Sequence, residues 1–140
     1  MVTYVNFDTI NALFFQWETS LKYISIDGDD VGRKITSCYL NNDEDKLHSV
    51  SKQLEESTKK IADLLLSRGF DVIFSAADGV VARTESDCNF EEIFLCICSC
   101  SSKGITFSAG VGTSLREAYI ALLNSKSNGK NQLSHFDTLK

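Results

Sequence analysis

A chain of 140 residues with 43% hydrophobic side chains has the material for one continuous core, and a single domain over 1–140 is expected. With 14 basic and 19 acidic residues the net charge is −5, so no general field draws the surface toward nucleic acid or anionic lipid. Any phosphate must be held locally. No basic start with an apolar run suggests a signal peptide, and no stretch nears the roughly 18 apolar residues of a spanning helix, so a soluble cytoplasmic protein is expected.

In chain order, NFDTINALFFQWE mixes apolar and polar residues at helical spacing, which predicts a short helix over about 8–18 starting at Asp8 or Thr9. Trp17, Phe14 and Phe15 read as its packing face. The β-branched run YISI, Tyr23 to Ile26, then ends abruptly in Asp27-Gly28-Asp29-Asp30, a strand feeding a tight turn. A helix from about Asp30 to Leu40 follows. After the polar loop NNDED, Leu47, Val50, Leu54, Ile61, Leu64 and Leu65 recur at spacings of three, four and seven, one face of an amphipathic helix closed by Arg68-Gly69.

FDVIFS, AADG and VVART read as strand, turn and strand, a hairpin with Asp78 at its tip. Asn89 with Glu92, and Ser114 with Glu117, have the spacing of capping boxes that open helices. Between those helices ITFSAGVG reads as a strand, and a polar tail follows the last helix. The order is β, α, β, β, α, β, the ferredoxin-like arrangement of the α+β class, with an antiparallel sheet, extra N- and C-terminal helices and a core over about 21–132.

Five cysteines form an odd set with no CxxC pair, which argues against a disulfide framework or a zinc ribbon. Helical residues two apart point about 200° apart, so the sulfurs of CICSC would not converge on a metal. His48 on the long helix and His135 in the tail adjoin no catalytic constellation and read as surface residues.

In ferredoxin-like topology the first and third strands are antiparallel neighbours. Asp27 ends the first and Asp78 directly precedes the third, so the two carboxylates should meet at one edge of the sheet. With no lysine or arginine beside them in sequence they would repel unless a cation lay between them, and Mg²⁺ (or Mn²⁺) is the natural one. Gly28 and Gly32 allow close backbone approach, and the N–H groups of Val31, Gly32 and Arg33 fall in a first helical turn, where free donors favour phosphate. Asp29 and Asp30 can serve either as a cap and turn residues or as further carboxylates for the site.

IDGDDVGRK, the hairpin FSAADGVV, and FSAGVG followed by AYIALLNSKSNGKNQ together resemble the GGDEF and type III CRISPR palm superfamily over about Tyr23 to Gln132. A short chain opening with IDGDDVG looks most like the minimal CRISPR polymerases (mCpol), cyclic-dinucleotide synthases of bacterial antiphage defence. The resemblance implies that Asp27 and Asp78 are the catalytic metal-binding acids, with the Gly28 carbonyl also touching metal. It implies that Lys126 and Lys130 reach the triphosphate, on one helical face if the helix extends so far. It further implies an effector protein that binds the product, and if each chain holds one substrate the chemistry calls for a twofold homodimer.

Two departures stand out. The asparagine that reads guanine in diguanylate cyclases lies eight positions after the metal aspartate. Here that position is Ile35, which cannot make those hydrogen bonds and favours ATP. The hairpin reads Ala76-Ala77-Asp78-Gly79 where the superfamily usually has two glycines and two acids. The alternative is therefore a degenerate domain that senses nucleotide without turnover. A third reading, a haloacid-dehalogenase-type phosphatase built on Asp27-x-Asp29, lacks a downstream acidic pair.

Overall fold

The computed structural model describes residues 21–139. The helix expected over 8–18, with Phe14, Phe15 and Trp17, lies outside the described residues. Strand β1 spans Lys22–Gly28, and helices α1 (Val31–Leu40) and α2 (Glu44–Ser67) follow. The hairpin is β2 (Asp71–Ala76) and β3 (Gly79–Thr84). Helix α3 (Phe90–Cys100), β4 (Phe107–Gly112), α4 (Leu115–Ser127), β5 (Leu133–His135) and a 3-10 turn over Phe136–Thr138 complete the order.

The sheet order is β2-β3-β1-β4-β5, with β1 central and antiparallel to both β3 and β4. This is the expected α+β, ferredoxin-like arrangement. Alternation along β1 assigns its two faces. Ile24 and Ile26 join Val50, Leu54, Ile61, Leu65, Ile93 and Ile97 in the core beneath the helical layer, whereas Ser25 and Asp27 point to the α4 side. Burying each of these large aliphatic side chains stabilises the fold by roughly 2 kcal/mol.

The local signals act where expected. Gly69, at φ 84°, follows the end of α2, a left-handed turn that glycine takes without strain. Asn89 accepts the Glu92 N–H at 3.1 Å, and Ser114 accepts the Glu117 N–H at 3.1 Å. The Glu117 carboxylate reaches one residue further back than a capping box would place it, taking the Thr113 N–H at 2.9 Å and the Thr113 hydroxyl.

Two features depart from the sequence pattern. After α4 the chain is not merely a polar tail. Lys130 and Asn131 both adopt positive φ, the chain reverses, and Leu133–His135 adds a fifth strand parallel to β4. A three-residue strand is too short to show alternation. His135 is consequently half-buried, 2.7 Å from the Glu91 carboxylate and edge-on to Phe90, whereas His48 is exposed as expected.

The second concerns how closely α4 lies on the sheet. Every residue of β4 is buried, and a Cβ at Gly110 would lie 2.1 Å from the Leu122 nitrogen and 2.3 Å from the Ala118 oxygen. Only glycine on the strand, facing Ala118 and Ala121 on the helix, permits this approach. It sets where the C-terminal end of α4, with Lys126, meets the end of β1.

Candidate active site

The register places Asp27 between Gly79 on β3 and Ser108 on β4. The Gly28 N–H donates to the Asp78 carbonyl at 3.0 Å, and the Asp29 N–H donates to the Thr106 carbonyl at 2.8 Å. The end of β1 is thus stitched to the hairpin tip on one side and to the approach to β4 on the other. A Cβ at Gly28 would stand 2.8 Å from Val31 Cγ2 and 3.3 Å from Asp78 Cβ, so a bare backbone is what lets the hairpin acid come this close. At Gly32 no such crowding exists.

Asp27 and Asp78 therefore adjoin, as the topology requires. Burial raises the Asp27 pKa most, the neighbouring Asp78 charge adds to it, and Lys126 offsets only part, leaving the carboxyl above its ordinary value. No lysine or arginine stands beside the pair in sequence, yet one reaches it through the fold. Lys126 arrives from α4, its Nζ 3.2 Å from Asp27 Oδ2, 2.7 Å from the Gly28 carbonyl and 2.8 Å from Asp29 Oδ1. Sequence neighbours could not show this, because the ammonium comes from 99 positions away.

Asp29 is neither a cap nor a spare metal ligand. Its side chain is 2% exposed, and both oxygens are filled. Oδ1 takes Ser108 Oγ at 2.7 Å and Lys126, while Oδ2 takes Thr106 Oγ1 at 2.6 Å and the Asn131 N–H at 3.0 Å. Burial alone would raise its pKa, but these hydrogen bonds outweigh burial and hold the carboxyl below the usual range. The same closure removes it from the phosphatase-type reading, since no oxygen is left to act on a substrate. Asp29 ties β1, β4 and the turn after α4 into one unit. The polar Thr106 and Ser108 beside an apolar strand were the signal for it in sequence.

Asp30 stands at the N-cap position of α1 in a left-handed conformation, φ 58°, yet its side chain makes no capping bond and pairs instead with Lys130. Helix α4 ends at Ser127, so Lys126 and Lys130 do not share a helical face. Lys130 reaches the site from the turn, at φ 65°. The first intrahelical bond of α1 runs from Lys34 N–H to the Asp30 carbonyl at 3.0 Å, and the N–H groups of Val31, Gly32 and Arg33 precede that ladder.

Next to this turn lies a cavity of about 760 Å³ between α1, α2 and the hairpin. Ile35, Leu47 and Leu54 give it an apolar wall, Ser51, Glu55 and Lys59 bring polar groups from α2, and Asp78 stands at its margin. Thr58 donates to the Ala77 carbonyl at 3.1 Å, which fixes the hairpin turn against α2. The α2 residues were missed in sequence because helical periodicity marks a face without showing that part of it opens on a cavity. Ile35 lies inside, where it offers no hydrogen bond to a base.

Among the described residues no three Asp, Glu, His or Cys side chains gather as a metal cage, and the cysteines are free, with CICSC lying on α3. A divalent cation would rest on Asp27, Asp78 and the Gly28 carbonyl, a hard-oxygen set suited to Mg²⁺.

The minimal CRISPR polymerase (mCpol) domain family matches residues 23–136, from the first strand through β5. The chain belongs to this family. No curated protein matches it in sequence. The mCpol fold here is similar to the active GGEEF domain of a diguanylate cyclase from Vibrio cholerae at 17% identity, covering 89% of this chain and 90% of that one, with a TM-score of 0.59. It is similar to the GGDEF domain of DgcB from Caulobacter crescentus, solved with c-di-GMP, at 9% identity, covering 91% and 90%, with a TM-score of 0.61. The GGDEF domain of PA1120 from Pseudomonas aeruginosa aligns at 12% identity over 88% and 93%, with a TM-score of 0.59. At such identities the likeness is one of fold. Among the described residues of the mCpol domain no helix is long and apolar enough to cross a membrane.

Proposed function

We propose that this mCpol domain is a nucleotidyltransferase that joins and cyclises ATP into a cyclic dinucleotide of the cyclic di-AMP type, a signal for an effector protein in antiphage defence. The observation that carries the reading is the meeting of Asp27 and Asp78 beside both the start of α1 and the 760 Å³ cavity. Acid, phosphate cradle and base pocket adjoin at one end of the sheet. Adenine suits a pocket in which Ile35 presents methyl groups and Glu55 can accept from an exocyclic amine. The N–H groups of Val31, Gly32 and Arg33, with the Arg33 guanidinium and Lys130, hold the phosphates.

Mg²⁺ or Mn²⁺, when bound by Asp27, Asp78 and the Gly28 carbonyl, would lower the pKa of the attacking ribose hydroxyl and stabilise charge on the departing pyrophosphate. The protein's own contribution is placement. Gly28 brings the hairpin acid against β1, and Asp29 fixes the turn from which the phosphate donors project. Two chains facing each other, each with one ATP, bring a hydroxyl to the other nucleotide's α-phosphate, and a second transfer closes the ring. Activity falling more steeply than concentration on dilution would support such a homodimer, and strict proportionality would count against it.

Incubation of the purified protein with ATP and Mg²⁺ or Mn²⁺ should yield a cyclic di-adenylate by mass spectrometry, with Asp27→Ala inert. No product from any triphosphate would overturn the reading. A second reading, a sensor that binds nucleotide without turnover, is favoured by Gly79, which stands where a second hairpin acid would face Asp27. Calorimetry showing saturable binding alongside silent chemistry would select it.

A further inference from the structure

The two acids at the end of β1 are supported unequally. Asp27 lies within the sheet, paired with Gly79 on β3 and Ser108 on β4, whereas Asp78 lies in the two-residue turn that Ala76 and Gly79 close between β2 and β3. Among the described residues no hydrogen bond or ion pair reaches the Asp78 carboxylate, so its place depends on the backbone of that turn. The turn is not a relaxed one. Ala77, its first central residue, takes φ 52°, at the position where type II′ hairpin turns carry glycine, and a Cβ crowds the backbone there.

Besides the hairpin ladder, two hydrogen bonds hold this turn to the described residues. The Gly28 N–H donates to the Asp78 carbonyl at 3.0 Å, and Thr58 Oγ1 donates to the Ala77 carbonyl at 3.1 Å. The second is unusual for its donor. Threonine is a poor residue for a helix interior, and its hydroxyl there ordinarily bonds back to the carbonyl three or four residues earlier. Thr58, in the middle of α2 and 5% exposed, instead sends its hydroxyl across to the hairpin. A buried hydroxyl left without an acceptor is costly, so the bond resists opening.

Resting on the reading of Asp27 and Asp78 as the metal-binding acids of a nucleotidyltransferase, we propose that Thr58 is a positioning residue. Through the Ala77 carbonyl it holds the strained turn so that the Asp78 carboxylate stays beside Asp27, ready to share a divalent cation. The alanine makes the tether necessary. Glycine at 77 would adopt positive φ without strain, and the turn would keep its shape from its own backbone. Thr58, Ala77 and Asp78 also line the 760 Å³ cavity, so the tether lies between the nucleotide pocket and the metal acid.

The test compares the wild-type chain with Thr58→Val, Thr58→Ser, Ala77→Gly and the Thr58→Val/Ala77→Gly pair. Mn²⁺ affinity is read from free Mn²⁺ by electron paramagnetic resonance on chains loaded one-to-one with α,β-methylene-ATP, whose carbon bridge prevents pyrophosphate release. The kcat and KM are measured with ATP. Valine keeps the shape and removes the hydroxyl, so it should weaken Mn²⁺ binding and lower kcat by about tenfold each, with KM for ATP within about twofold. Serine should restore both. In the Ala77→Gly background the same valine should weaken Mn²⁺ binding by less than about threefold. Wild-type affinity and kcat in Thr58→Val, or equal losses with serine and valine, would overturn the inference and leave the functional reading standing. If Thr58→Val alone does not fold, the pair decides, and a loss of about tenfold relative to Ala77→Gly would overturn the tether. A wild-type chain that binds neither the analogue nor Mn²⁺ would remove the functional reading and the inference with it.

Discussion

Replacing Asp29 by asparagine tests whether the buried carboxylate organises the site. Four donors converge on it: Ser108 Oγ and Lys126 Nζ on Oδ1, and Thr106 Oγ1 and the Asn131 N–H on Oδ2. An amide of the same shape keeps one acceptor oxygen and turns an NH₂ toward two of these donors. Placed toward Lys126 it opposes a charge that cannot accept. Placed toward Oδ2 it forces Thr106 to rotate and deprives the Asn131 N–H of one of two acceptors, the other being Ser108 Oγ at 3.0 Å.

The second arrangement is the cheaper, but the charge partner of Lys126 is still lost. A disturbed buried polar group costs about 1–3 kcal/mol and a broken buried ion pair about 3–5 kcal/mol, so a total near 3–4 kcal/mol is expected for Asp29→Asn. In a domain with roughly 5–15 kcal/mol of stability this would lower the melting temperature by about 10 °C. Urea denaturation at pH 7 measures it directly. The sign with pH also follows. Because the folded-state pKa of Asp29 is lowered, its stabilisation is present above the unfolded value near 3.9 and is lost as pH falls through the folded one. The deficit of the variant should shrink in acid, and a difference under about 0.5 kcal/mol at pH 7, the range of an ordinary surface change, would refute the argument.

Three further outcomes are expected. Gly110→Ala inserts a methyl 2.1 Å from the Leu122 nitrogen, where ordinary contacts are 3.4–4 Å. Helix α4 must lift, costing about 1–3 kcal/mol and, through misplaced Lys126, roughly 100-fold in activity. Unchanged urea and kinetic profiles would show that α4 does not rest on β4 in this way. Ala77→Gly should stabilise by up to ~1 kcal/mol, since Ala77 sits at φ 52° where an L side chain is strained, and a lower denaturation midpoint would contradict that strain. Asp27 has a raised folded-state pKa, so its contribution is favourable below the unfolded value near 3.9 and is lost as pH rises through the folded one. Asp27→Asn mimics the protonated form and should match or exceed wild-type stability at pH 7 in the absence of metal. A clear loss in the melting curve would reverse the sign assigned here.

The order of elements was legible in the chain because each local cue acts over a few residues. Asn89 and Ser114 cap helices, Gly69 ends one, and the alternation of YISI gives a strand with one face in the core. From order alone, the antiparallel pairing of β1 with β3 followed, and with it the meeting of Asp27 and Asp78. The short β5 was not legible, since its pairing with β4 depends on a reversal at Lys130 and Asn131 that only neighbouring strands stabilise.

The environment of the aspartates was decided by tertiary structure. Residue types in IDGDDVGRK determined that an acidic turn must lie at the end of a strand and start a helix. Which acid is exposed, which is sealed and which faces an ammonium depends on groups about 80 to 100 positions away. Gly110 lets α4 settle on β4, that contact delivers Lys126, and Asp29 is spent in holding it. Chemical type is local to the sequence, whereas burial and charge partnership are properties of the packed whole.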